Sequence, residues 1–286
     1  SPENHEANQL AYIKSVRSQL YLQVVFGLGE RVRLNDGAEV SLHHAMLASE
    51  LTRAFFEQAY LQPYQRYLDD LGDPLAALGR LAFEGLLQGE NRFPMTWSEL
   101  PAKVRRIRAW TVSDEHPAGD ADAAKAILQF WTSDLQALSA QLKQTPNMPT
   151  PRLYERPFYK IGRYSFQFPW VAGRQNSLTA AVNNLRRVEQ RRPELRGETE
   201  RVEHELAEAL RQRGFRVVVG YQPLCSEEPD AGEIDLLAYL DGVVLLLEVK
   251  SGFIRSTPHE VWLHRTNTLR KAARQLERKQ PAVLQA

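Results

Sequence analysis

Two apolar runs, 234–240 and 243–249, separated only by Asp241-Gly242, constrain this chain more than any other feature of its 286 residues. Asp-Gly is the favoured pair for a two-residue hairpin turn whose central residues both need positive φ. With that turn Leu240 lies opposite Val243, and stepping back along the ladder puts Asp235 opposite Glu248. Their Cβ atoms are then expected about 4.5–5.5 Å apart on one face. Lys250, two residues beyond Glu248, projects from the same face. Two carboxylates opposed among leucines and valines repel each other at a cost in stability. A divalent cation between them removes the conflict, and Mg²⁺ favours one or two carboxylates together with water and phosphate oxygens. Lys250 is placed to orient a water or to stabilise charge on a phosphate. The competing reading is a solvated strand end with an ordinary Glu–Lys neighbourhood, against which the apolar flanks weigh.

Around this hairpin the sequence predicts an α/β chain of two domains, its length exceeding a single average core. Residues 1–150 read as mainly helical. Asp73-Pro74 caps a helix with Leu75, Leu78, Ala82 and Leu86 at helical spacing. A helix over 42–60 turns Met46, Leu51, Phe55 and Ala59 inward. Another, from about Asp120 to the proline at 146, carries Ala124, Ile127, Leu128, Trp131, Leu135, Leu138 and Leu142 on one stripe. His43 and His44 have no partner at metal-ligand spacing and read as surface or core histidines. Pro146, Pro149, Pro151 and Pro157 crowd a short stretch that reads as a domain boundary. Residues 151–196 then form a connecting region: a hairpin of Phe158–Ile161 and 164–168 about Gly162-Arg163, a helix with Leu178, Ala181, Val182 and Leu185, and an Arg-rich turn (Arg186, Arg187, Arg191, Arg192). In the last domain, 197–286, a helix with Val202, Leu206, Ala209 and Leu210 on one stripe ends at Gly214. A strand at 215–219, the central hairpin and a helix from about 268 to 280 follow. The order α-β-β-β-α implies a layered domain whose sheet is covered on both faces.

Composition excludes several classes. The chain is 43% hydrophobic and 25% charged, as soluble folded proteins are, and no run of 18 apolar residues suggests a membrane span. Cys225 is the sole cysteine, which rules out an internal disulfide and any cysteine-based zinc cluster. The single cysteine fits a reducing compartment, so the cytoplasm is the expected location, and the N-terminal Ser-Pro-Glu-Asn-His shows neither the basic nor the apolar region of a signal peptide. Net charge is only +1, yet from Lys250 onward eight basic residues face two acidic ones, Glu260 and Glu277. A tail of this kind suits a polyanion, with a solvated helix face as the alternative.

The segments Gly232-Glu-Ile-Asp235 and Leu247-Glu-Val-Lys-Ser-Gly252 resemble the two motifs of the PD-(D/E)xK nuclease superfamily: an Asp at the start of the second strand and Glu-x-Lys on the third. Arg201-Val-Glu-His-Glu-Leu206 and Arg213-Gly-Phe-Arg-Val-Val218 are similar to the first helix and strand of Holliday-junction resolvases. The resemblance covers about 197–280 and implies a restriction-endonuclease-like α-β-β-β-α core with a mixed sheet flanked by helices. It implies that Glu203, with Glu200 and Glu205 as rivals, joins Asp235, Glu248 and the backbone carbonyl of Val249 as ligands of Mg²⁺ or Mn²⁺. The last helix is similar to that of the nuclease-related-domain branch, where a Gln, here Gln275, faces the active site and an aromatic lies near the position of Trp262. On this resemblance the chain is expected to be a metal-dependent endonuclease acting on DNA. Glu203, Asp235, Glu248, Lys250 and Gln275 would form its active site, and Arg270, Lys271, Arg274 and Arg278 would touch phosphates. The N-terminal helices would recognise substrate or a protein partner. The alternatives are a catalytically silent nucleic-acid-binding or scaffolding protein on the same fold, and a regulated defence or toxin nuclease whose N-terminal domain is a sensor.

Overall fold

In the computed structural model, residues 2–34, 37–188, 192–223, 232–250 and 252–284 are described; Arg191, Cys225 and Ser251 lie outside them. The chain divides into two compact units, one of residues 1–22 and 29–190, the other of residues 23–28 and 191–286. The architecture is mixed α/β. Among the described residues no helix is long and apolar enough to cross a membrane.

The first unit begins with α1 (Pro2–Phe26, its last turn grouped with the second unit) and the small hairpin β1 (Arg31–Arg33) and β2 (Glu39–Ser41). Ser41 caps α2 (Leu42–Phe56), which passes through a π-helical turn, Glu57–Leu61, into α3 (Gln62–Leu71). The predicted helix over 42–60 is therefore present, but Phe56 rather than Phe55 turns inward and stacks on Tyr60. In α4 (Pro74–Leu87) Asp73 is the N-cap, as its sequence suggests, while the buried stripe is Ala77, Leu81, Ala82 and Gly85; Leu75 and Leu86 are exposed.

Then come β3 (Thr96–Glu99), α5 (Leu100–Arg108), α6 (Ala121–Phe130), β4 (Thr132–Asp134) and α7 (Leu135–Gln144). The single helix expected from Asp120 is thus two helices with a short strand between them. Asp134 accepts hydrogen bonds from the amides of Gln136 and Ala137, so it starts a second helix instead of continuing the first. The hairpin β5 (Phe158–Ile161) and β6 (Tyr164–Gln167) forms as expected, and α8 (Pro169–Ala172) and α9 (Ser177–Asn183) follow.

The proline-rich stretch is not a boundary. β4, before it, pairs in parallel with β5, after it, and Lys160 bonds Asp134 at 2.8 Å. The prolines lie in the connection from α7 to β5, within a crossover whose helix is α7. β3 completes a four-stranded sheet, order β3-β6-β5-β4, with antiparallel and parallel pairs. A helical period hid β3 and β4 because strands of three and four residues leave too little alternation to detect. The Arg-rich segment after α9 is a π-helical turn, Asn184–Val188, in which Arg187 pairs with the fully buried Glu155.

The second unit contains α10 (Arg192–Arg211), β7 (Arg216–Tyr221), β8 (Ile234–Leu240), β9 (Val243–Leu247), α11 (Pro258–Leu263) and α12 (Arg270–Leu284). A π-helical segment, His264–Leu269, joins the last two, and α12 runs past the expected end at 280 through Pro281. Its sheet, β7-β8-β9, is wholly antiparallel, so the mixed sheet expected here belongs to the first unit instead. The hairpin register is the one the turn dictates: Leu240 faces Val243 and Leu236 faces Leu247. Helix α10 packs on β7 and β8, and α12 on β9.

Ile234, Leu236 and Ala238 are fully buried, whereas Val218, Tyr239 and Val244 on the opposite face are about half exposed. The expected covering of both faces is therefore incomplete. On α10 the buried position is Ala207, with Leu206 turned outward, so the inward stripe includes Glu203, Ala207 and Leu210 at helical spacing.

Asp241 and Gly242 both have positive φ, 49° and 81°. A β-branched residue pays a steric penalty there that glycine avoids. Gly242→Val is expected to lower the unfolding free energy by about 1–2 kcal/mol, read as a drop in the urea midpoint; an unchanged midpoint would show that the turn relaxes freely.

Candidate active site

The hairpin, α10 and α12 bring together the carboxylates singled out from sequence. Beyond Leu236–Leu247 the ladder stops, two residues before the expected end of the third strand. Asp235 takes over there: its Oδ2 accepts the amide of Val249 at 2.6 Å. The charge-assisted bond satisfies a backbone donor that regular pairing would otherwise have to satisfy. On its other side, Gly220 of β7 has φ +65°, and a Cβ there would lie 3.0 Å from Glu233 Oε1. The strand is thus irregular on both flanks of Asp235.

Glu248 is the most tightly held group. Its side chain is 4% exposed, and it accepts hydrogen bonds from the ammonium groups of Lys250 and Lys279. Burial pushes its carboxyl up, but the bonds and charges of the two lysines outweigh that effect and hold it below the ordinary glutamate value. Lys279 is itself buried, at 2% exposure.

Sequence reading counted Lys279 only as one charge of a basic tail. The available signal was helical phase, since Ala272, Leu276 and Lys279 fall on one stripe of α12. Gln275, one turn before Lys279, shares the inward side; its Oε1 is buried and finds no hydrogen-bond partner among the described residues. Arg270, Lys271, Arg274 and Arg278 are exposed. Arg278 leans toward the start of β8, one guanidinium nitrogen lying 3.7 Å from where a Cβ on Gly232 would be. Trp262 is exposed and stacks on His259.

Glu203 and Asp235 are shifted the opposite way from Glu248. Burial raises the Glu203 carboxyl, and the charges of Asp235, Glu233, Glu200 and Glu248 add to it. For Asp235, burial and the charge of Glu248 raise the carboxyl against the pull of the Val249 amide and of Lys250 and Lys279. Of the three rival helix glutamates, Glu203 is half-buried while Glu200 and Glu205 are exposed.

The donor chemistry fits a hard divalent cation, because half-buried carboxylates that repel one another gain most from a shared positive charge. The geometry is less closed than the resemblance implies. Among the described residues no three His, Cys, Asp or Glu side chains form a metal-holding group. Glu248 is committed to two lysines, and Val249 is engaged through its amide.

Compared with known proteins, the chain matches no protein-family model, no curated protein and no solved structure.

The raised Glu203 carboxyl sets a pH dependence. The folded state binds this proton more tightly than the unfolded state, so its stabilising contribution is full below the ordinary value and is lost as pH rises through the raised one. In EDTA, Glu203→Gln is expected to melt at a higher temperature than the unmodified protein near neutral pH. The gap should close on acidification below about 4.5, the ordinary value for glutamate. Equal melting temperatures at all pH values would show that Glu203 is not in the repelling cluster.

Proposed function

We propose that the second unit is a metal-dependent nuclease that hydrolyses phosphodiester bonds, with DNA as its substrate. The observation that carries this reading is the buried Glu248, held by the ammonium groups of Lys250 and Lys279, with the half-buried Asp235 and Glu203 near enough for their charges to act on one another's surroundings. It is supported by the motif Gly-Glu-Ile-Asp followed by Glu-Val-Lys. The restriction-endonuclease-like arrangement is part of the same proposal.

In this reading Mg²⁺ or Mn²⁺ is held by Glu203, Asp235 and Glu248, with the Val249 carbonyl as a further donor. The cation, when bound, supplies Lewis-acid polarisation of the phosphoryl group and makes water acidic enough to attack. Lys250, partly exposed beside Glu248, orients the attacking water and offsets the charge that develops on the phosphoryl oxygens. Lys279 keeps Glu248 ionised and fixed, a positioning role. Gln275 offers a buried carbonyl on the same side of α12. The exposed Arg270, Lys271, Arg274 and Arg278 hold the phosphate backbone.

A second reading, a silent nucleic-acid-binding module, draws on one observation: both Glu248 oxygens are taken by lysines.

Incubation of purified protein with plasmid DNA, single-stranded DNA and RNA in Mg²⁺, Mn²⁺ or EDTA separates the two. DNA cleavage that EDTA stops is expected, and Lys250→Ala should fold and bind DNA normally while cleaving roughly a hundredfold more slowly. Intact substrates in every metal condition, with metal binding shown by calorimetry, would select the silent module. Binding should also weaken steeply with salt, and replacing Arg270 and Arg274 together should flatten the plot of log affinity against log salt. An unchanged slope would return α12 to a merely solvated surface.

A further inference from the structure

The first unit holds a cavity of about 530 Å³ between its four-stranded sheet and helices α2, α5 and α6. That volume lies within the range of small-molecule sites. Along α5, Lys103, Arg106 and Ile107 line it at helical spacing, with Trp110 in the turn just beyond; Tyr60, Trp131 and Phe158 supply further aromatic wall.

Several polar ends of these walls are already committed. Trp131 Nε1 donates to Ala45 O at 3.1 Å, and Tyr60 Oη donates to Asn91 O at 2.8 Å. Gln175 donates through Nε2 to Tyr154 O and accepts from Ser49 Oγ. What remains toward the cavity is mostly hydrocarbon and ring surface; the Ser98 hydroxyl, buried and without a hydrogen-bond partner among the described residues, is one polar exception, and one charged exception stands beside it.

The charged exception is Lys103. Its ammonium has three donors; one reaches Gln167 Oε1 at 2.5 Å, and the group lies 5.2 Å from the centroid of the Phe158 ring. Among the described residues no carboxylate pairs with it. At the rim Arg92 is neutralised by Glu90 at 2.7 Å, and Arg106 is exposed. Burial first, and the charge of Arg106 second, pull the Lys103 ammonium down to about 8. A cation placed in an apolar cavity without a counter-charge is costly unless an anion joins it.

We infer that this cavity binds a small planar aromatic molecule carrying one anionic group, its rings against Tyr60, Trp110, Trp131 and Phe158 and its anion on Lys103. The volume suits two or three rings. One cation suits one negative charge, and a ring system with at most one further acceptor, for the Ser98 hydroxyl, matches walls that are otherwise mainly hydrocarbon and ring surface.

A matched pair of dyes tests the inference on the whole chain: 1-anilinonaphthalene-8-sulfonate and its uncharged parent, N-phenyl-1-naphthylamine, titrated by fluorescence. Saturable one-to-one binding of the sulfonate is expected. Lys103→Met, which keeps the apolar stem, should weaken the sulfonate at least about tenfold, the scale of a lost charged hydrogen bond, and leave the uncharged parent nearly unchanged. Ala102→Trp, which fills the cavity and leaves the charge in place, should abolish both, with circular dichroism confirming that the variant is folded. Sulfonate binding unaffected by Lys103→Met would place the dye on exposed apolar surface and overturn the assignment. So would the absence of saturable binding, or survival of either dye in folded Ala102→Trp.

Discussion

The second unit depends on one buried ion pair, Glu248 with Lys279. Both side chains are almost wholly removed from water, at 4% and 3% exposure. Alone, either charge would cost several kcal/mol, so each requires the other. Helix α12 can therefore seat in only one rotation, with Lys279 over the end of β9. That rotation turns Gln275 inward and leaves Arg270, Lys271, Arg274 and Arg278 outward. A helix with a basic composition is thereby divided into a structural side and a solvent side. Glu248, anchored from one direction by α12, holds Lys250 from the other.

The acidic groups around that pair are not equivalent. Glu248 is kept ionised by its lysines, while Glu203 and Asp235 are pushed toward protonation by burial and by neighbouring carboxylates, Glu248 among them in both cases. Environments that drive neighbouring carboxyls apart are a recurrent property of sites that handle protons and cations, although structural networks produce them as well. Asp235 has a second duty here, since the Val249 amide depends on it where the ladder ends. Its carboxylate thus joins the backbone of one strand to the charge balance of the cluster.

Much of this arrangement was legible in the sequence. Asp241-Gly242 specified a turn and the turn specified a register, which holds as far as Leu236 and Leu247, one step short of Asp235 and Glu248; there Asp235 accepts the Val249 amide instead. Turn chemistry is local, which is why it could be read residue by residue. Lys279 was obscured because a charge count has no phase; only its place on the apolar stripe of α12 separates it from Arg278. Phe55 and Phe56 exchange places because Phe56 keeps the seven-residue phase of the buried Leu42 and Ser49, which a stripe drawn through Leu51 misses. The strands β3 and β4 were hidden by their brevity, and their pairing partners lie far along the chain, where no local pattern records them. The prolines read as punctuation between domains, whereas they punctuate a connection within one.

The crossover from β4 through α7 to β5 has a consequence for how the polypeptide can be divided. A break in the proline-rich connection would separate Thr132, Ser133 and Asp134 from the strand that pairs with them, yet leave every partner present. The two pieces would then behave as complementing fragments, each with an unpaired sheet edge and an incomplete core. Their reassembly would depend on concentration, because covalent linkage no longer holds the strands at high local concentration. The change in compactness falls nearer residue 191, and the second unit also takes in residues 23–28, so a C-terminal piece beginning there would lack part of its own unit.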